Sequence, residues 1–114
     1  MRIVYTLSTC DTSKRILKQL DLHDFEVKDI KKDQLKSGEL EMMHSLSGSY
    51  EGLFSRRSRS YSGLKNKELS ENDYRTLILK DYTFLKRPVI IDGDKIFIGN
   101  QKKNVADLYT YFGK

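Results

Sequence analysis

Cys10 is the only cysteine of the 114-residue chain. It stands in the polar stretch Ser8-Thr9-Cys10-Asp11-Thr12-Ser13, between an apolar run and the first helix-like periodicity. A cysteine at the start of a helix faces backbone N–H groups, here of residues 11 to 13, that have no intrahelical partner. Together with the positive end of the helix dipole they favour a thiolate over a thiol. Thr12 and Ser13 add hydroxyl donors, and Lys14 and Arg15 add positive charge, whereas Asp11 opposes a thiolate if the two side chains approach. A lone cysteine is otherwise a small buried hydrophobe, so Cys10 is either inert packing or the chemistry. One cysteine excludes an intrachain disulfide, a CxxC redox pair and a cysteine-rich zinc site, and a free thiol suits a reducing cytoplasm.

The second chemical feature is a charge cluster. Lys and Arg total 21 and Asp and Glu 16, a net charge of +5. Residues 52–67 hold Arg56, Arg57, Arg59, Lys65 and Lys67 and no acid, so this segment accounts for the whole excess. Such local potential attracts an anion: a nucleic-acid backbone, an acidic protein or a small oxyanion. It is equally what a solvated basic loop looks like. Bound to nucleic acid without a stacking platform, it would be non-specific and salt-sensitive. His23 and His44 lack neighbouring acidic or thiol ligands and read as surface or satisfied histidines, so no metal site is expected. The tyrosines read as core and rim residues.

Among the elements that must carry these residues, Arg2 to Thr6 is a β-branched and aromatic run, and Ile16, Leu17 and Leu20 then recur at helical spacing. Phe25 to Ile30 is a second candidate strand, so the first 30 residues predict one βαβ unit with a right-handed crossover. From 31 to 86 the pattern is mostly helical. Leu35, Leu40, Met43 and Leu46 form an apolar stripe with Ser37 as cap, and Ser70 with Asp73 marks a second helix burying Tyr74, Leu77 and Ile78. Val89–Ile91 and Ile96–Ile98, joined through Asp92-Gly93-Asp94, predict an antiparallel hairpin, and a last helix is expected from about Asn104 to Phe112. The order β-α-β, helical insertion, β-β-α describes one α/β domain around a mixed four-stranded sheet. With 38% hydrophobic and 32% charged residues, and no apolar run approaching the roughly 18 residues of a membrane span, a soluble cytoplasmic protein is expected. The first residues likewise lack the apolar core of a secretory signal.

Three stretches in this order carry a resemblance: the Cys10-Asp11-Thr12-Ser13-Lys14-Arg15 turn, the basic run Arg56 to Tyr61, and Leu85 to Gly93 followed by Ile98-Gly99. Together they resemble the arsenate reductase (ArsC)/Spx family almost end to end. The resemblance implies a thioredoxin-like fold with a helical insertion at about 31–86. Cys10 would be the nucleophile at the first helix N-terminus, and Pro88 a cis proline lining the site. Thr12, Ser13, Arg57 and Arg87 would contact an oxyanion, with Arg56 and Arg59 as alternatives to Arg57. Arginine forks would neutralise the repulsion between thiolate and oxyanion. Two positions depart from the pattern: Asn100 stands after Gly99 where arsenate reductases of the family carry an arginine, and Ser13 stands where Spx-type regulators carry a second cysteine. The leading expectation is therefore a reductase without a bound cofactor, in which glutathione, glutaredoxin or a similar thiol resolves Cys10. The alternative is an Spx-like regulator binding RNA polymerase.

Overall fold

The computed structural model describes residues 1–114. Strand β1 (Arg2–Thr6) leads into helix α1 (Asp11–Lys18) and then strand β2 (Glu26–Asp29). Helix α2 (Ser37–Ser47), 3₁₀ turns at Glu51–Leu53 and Arg59–Leu64, helix α3 (Glu71–Lys80) and a 3₁₀ turn at Tyr82–Phe84 follow. Strands β3 (Val89–Asp92) and β4 (Lys95–Ile98) and helix α4 (Lys102–Phe112) complete the chain. The sheet order is β2-β1-β3-β4, with β1 and β2 parallel and the other pairs antiparallel. This is the mixed four-stranded sheet that the element order predicts, in the thioredoxin-like arrangement that the resemblance implies. No helix is long and apolar enough to cross a membrane.

Two compact units share the chain: residues 1–33 with 87–114, and residues 34–86. In the first, Val4 of β1 and its β3 partner Ile90 are buried with Ile16 and Leu20 after the α1 start and Leu108 and Phe112 of α4. Each such side chain contributes about 1.5–3 kcal/mol on leaving water, and the spacing of four between Leu108 and Phe112 puts that pair on one face of α4. The β3–β4 hairpin turns through Gly93 and Asp94, with Gly93 at φ +63, a left-handed conformation that glycine adopts without Cβ clash.

The second unit has an aromatic core. Phe54 is fully buried, stacks on Phe84 with centroids 4.8 Å apart, and tilts against Tyr74 at 4.9 Å. Leu35, Leu40, Met43, Leu53, Ile78 and Leu85 are buried in the same unit.

Local signals mostly hold, with shifts at the ends. Ser70 Oγ accepts from Asp73 N–H while Asp73 Oδ2 accepts from Ser70 N–H, at 3.2 and 2.8 Å, closing the predicted box at α3. Ser70→Ala should therefore lower stability by about 1 kcal/mol in denaturant unfolding, a loss that Ser70→Asp restores. At α2 the cap is Lys36 rather than the expected Ser37, because Glu39 Oε1 accepts the Lys36 N–H and draws the helix start back one residue. Helix α4 begins at Lys102 rather than about Asn104, since Val105 N–H already bonds Gln101 carbonyl. The Asn104 amide instead donates to Gly99 carbonyl at 2.6 Å. Strand β2 is shorter than Phe25–Ile30, because Phe25 N–H turns back to Leu22 carbonyl.

The expectation that His23 lacks acidic neighbours is corrected. Its Nδ1 lies 2.8 Å from Asp21 Oδ1 and its Nε2 3.3 Å from Asp24 Oδ1. Both acids are within two residues, and a short turn folds them onto the ring. The Asp21 hydrogen bond, followed by the Asp24 charge, raises the imidazole above its ordinary value.

Candidate functional site

Cys10 is the N-cap of α1, with φ −95 and ψ 103, so it is extended rather than helical. Its carbonyl accepts from Lys14 N–H at 3.1 Å, the first bond of the helix, and its own N–H donates to Leu7 carbonyl at 2.9 Å. No side chain caps this end. The helix therefore opens toward a half-buried sulfur, as the strand-to-helix reading predicts.

Three observations gather around the sulfur. Ser13 is completely buried and its hydroxyl has no regular hydrogen-bond partner, which is costly for an interior hydroxyl. Arg87 contributes a half-buried guanidinium. The Arg87–Pro88 peptide bond is cis, and the Pro88 carbonyl accepts from Gly99 N–H at 2.8 Å, tying the start of β3 to the end of β4. Burial by itself pushes the Cys10 thiol up. The Ser13 hydroxyl and N–H, with the Arg87 guanidinium, outweigh that burial and hold the thiol below its ordinary value. Neutral donors and a fixed cation stabilise the negative sulfur and do nothing comparable for the neutral thiol. Cys10, Ser13 and Arg87 thus act on one another, with Pro88 as Arg87's neighbour. A direct consequence concerns alkylation of Cys10 followed against pH by intact mass. Ser13→Ala and Arg87→Ala should each move the midpoint up, and an unmoved midpoint in both would remove these groups from the sulfur's environment.

Thr12 is half-buried in the first turn of α1, and it is not among the groups that act most on the sulfur. Lys14 and Arg15 are exposed. Asn100 is half-buried beside Gly99, the position where the resemblance expected an arginine.

The basic segment lies in the second unit, where its arginines differ in their commitments. Arg56 Nη2 donates to Glu51 Oε2 at 2.8 Å and to Tyr74 Oη at 3.0 Å, and its guanidinium lies 5.7 Å from the Tyr74 ring centre. Glu51 stands one residue outside the acid-free stretch, so part of the apparent charge excess is matched within the unit. Arg56 is thereby held as a structural cation. Arg57 and Arg59 are exposed, Arg57 with its N–H on Ser55 Oγ and Arg59 opening the 3₁₀ turn.

Sequence reasoning missed three participants. Tyr74 is predicted as core, but the polar end of a buried tyrosine needs a partner, and this is the signal that points to Arg56. Glu71 accepts the N–H groups of Tyr50 and Glu51 at 2.8 and 2.9 Å, bracing the turn that presents Glu51. Lys86 is half-buried with its N–H on Leu53 carbonyl. Burial, then the neighbouring Arg56 charge, push its ammonium down.

Comparison with known proteins finds likeness along nearly the whole chain. The ArsC family model matches residues 5–108. Global transcriptional regulator Spx 2 of Bacillus cereus is 29% identical over 111 residues, covering 92% of this chain and 84% of that protein. An arsenate reductase from Vibrio cholerae superposes with a TM-score of 0.76 at 15% identity, over 94% of this chain and 96% of the other. An arsenate reductase related protein from Brucella melitensis gives 0.72 at 23% identity, over 96% and 92%. Likeness at these identities demonstrates the shared fold.

Proposed function

The chain belongs to the ArsC family, and from that membership we propose that it is a thiol-dependent reductase of a small oxyanion, with Cys10 as the nucleophile. The observation that carries this reading is the activated sulfur: one half-buried cysteine at a helix start, its thiol held low by Ser13 and Arg87.

The chemistry runs in three steps. The Cys10 thiolate bonds to the central atom of the oxyanion, and one oxygen leaves as water after protonation. An external thiolate, of glutathione or glutaredoxin type, then attacks Cys10 Sγ. The bond from sulfur to the central atom breaks, its electron pair stays with the central atom, and the oxyanion leaves reduced by two electrons. A second external thiol cleaves the resulting mixed disulfide and returns Cys10 as a thiol. An outside thiol is required because the chain holds no second cysteine. Arg87 would stabilise the charge gathered when anion meets thiolate, with the Thr12 and Ser13 hydroxyls as donors to the oxygens and Pro88 beside them. Arg57 enters as a further anion ligand through the family resemblance, and Arg56 is set aside because Glu51 and Tyr74 already hold it.

The test is arsenate reduction by the purified chain with glutathione, with and without glutaredoxin. Turnover that depends on the thiol supports the reading, and none with arsenate or other small oxyanions overturns it. The likeness to Spx 2 favours a second reading, a regulator that binds RNA polymerase. Capture of polymerase at low salt, weakened by reversing the charges of Arg57 and Arg59, would support that reading over catalysis.

A further inference from the structure

A pocket of about 480 Å³ opens in the second unit, lined by none of the residues of the candidate functional site. Leu64, Leu77 and Phe84 supply its apolar wall, and Tyr82 and Asp81 line it beside them. That volume lies within the range of small-molecule sites, which are mostly apolar with a few fixed polar groups.

Its fixed polar group is Asp81. Oδ1 accepts from Thr83 N–H at 3.0 Å and from Thr83 Oγ1 at 2.7 Å, and Oδ2 accepts from Ser60 Oγ at 2.9 Å. Ser58 Oγ joins Thr83 Oγ1 at 2.7 Å, so the two 3₁₀ turns that flank the pocket are clasped together around one carboxylate. These donors are neutral. They keep the carboxyl ionised without cancelling its charge, and no basic group forms an ion pair with it. Asp81 is also the C-cap of α3, where the carbonyl end of the helix adds negative potential. Oδ2, with a single hydrogen bond, retains accepting capacity. Two aromatic residues, Tyr82 and Phe84, complete a lining that favours a cation with an apolar body.

Two sources of positive charge oppose this. The net charge of +5 repels cations at long range, but salt screens it beyond roughly 8–10 Å, so the local carboxylate decides. Lys80 lies on the exposed rim, and its flexible stem lets the ammonium stay in water.

We propose that this pocket binds a small amphipathic amine, its ammonium on Asp81 and its apolar body against Leu64, Leu77 and Phe84. The site is independent of Cys10 and of the reductase reading. The experiment is an amide NMR titration of the full chain with phenethylamine and, in parallel, with 3-phenylpropionate, which has a similar apolar body and the opposite charge. The amine should give saturable shifts centred on Gly63, Leu64, Leu77 and Asp81, and the acid none there. Lys80→Gln, on the exposed rim, should tighten the amine by about threefold by removing a like charge. Asp81→Asn should weaken it by at least about tenfold, with the rest of its spectrum reporting whether the clasp survives. Absence of saturable shifts with the amine overturns the proposal. So does binding of the acid in its place, or weaker amine binding in Lys80→Gln.

Discussion

Cys10→Ser should abolish thiol-dependent oxyanion reduction, a loss of at least about 1000-fold in kcat/KM, while leaving the fold intact. A serine hydroxyl at this position would be un-ionised and cannot form the mixed disulfide through which the external thiol acts, so both halves of the cycle stop. Structural loss should be slight, because Cys10 is only half-buried and its cap role rests on backbone groups that serine retains. Turnover retained in Cys10→Ser would remove Cys10 from the chemistry, and circular dichroism separates lost activity from lost structure. The same substitution tests the sulfur's environment through stability. The folded-state thiol is held below its ordinary value of 9.0, so between the two values the unfolded state binds more protons and stability rises with pH. That contribution is fully present above 9.0 and is lost as pH falls through the folded-state value. Cys10→Ser should remove this segment of the pH profile, and an unchanged profile would show that the fold does not favour the thiolate.

Phe54→Ala should be the most damaging single truncation in the second unit, costing about 3–5 kcal/mol. Phe54 is fully buried between Phe84, Tyr74 and Tyr61, with ring centres at 4.8, 4.9 and 6.1 Å. Its backbone pairs with Leu85 as an isolated bridge, flanked by Ser55 N–H to Phe84 carbonyl and Lys86 N–H to Leu53 carbonyl. Removing the ring leaves a cavity that three aromatic neighbours cannot all close on. It also loosens the segment carrying Arg56 and Lys86. For a chain whose total stability is of the order of 5–15 kcal/mol, the expected result is a fall in Tm of more than about 10 °C. Phe54→Leu, which refills part of the space, should recover much of this. A loss below about 1 kcal/mol in Phe54→Ala would show that the aromatic cluster does not hold the unit together.

What was legible in the sequence was local. The strand, polar turn and helix that place Cys10 at an N-terminus follow from a change of period within about twenty residues. The Ser70–Asp73 box and the hairpin through Gly93 follow from hydrogen bonds or dihedral needs spanning a few positions. The order of elements led to a mixed four-stranded sheet, because right-handed βαβ crossovers and short hairpins leave few ways to arrange four strands; its thioredoxin-like character came from the family resemblance. Element ends were less legible at α2 and α4, where a side chain or carbonyl three or four positions away moved the boundary by one or two residues.

The chemistry of individual charges was decided by tertiary structure. Nothing in the run Arg56-Arg57-Ser58-Arg59 distinguishes its arginines, yet Tyr74, 18 positions along the chain, and Glu51 claim Arg56 alone. Ser13 reads as one more hydroxyl in a polar turn until folding buries it beside the sulfur, and Arg87 acts on Cys10 only once β3 lies against β1. Asp81 and Ser60 meet across 21 positions to frame a pocket that no motif announces. Periodicity records which face of an element is apolar, so it reveals elements and their order. An ionisable group takes its character from the few ångströms around it, and those neighbours are assembled from distant parts of the chain only when it folds.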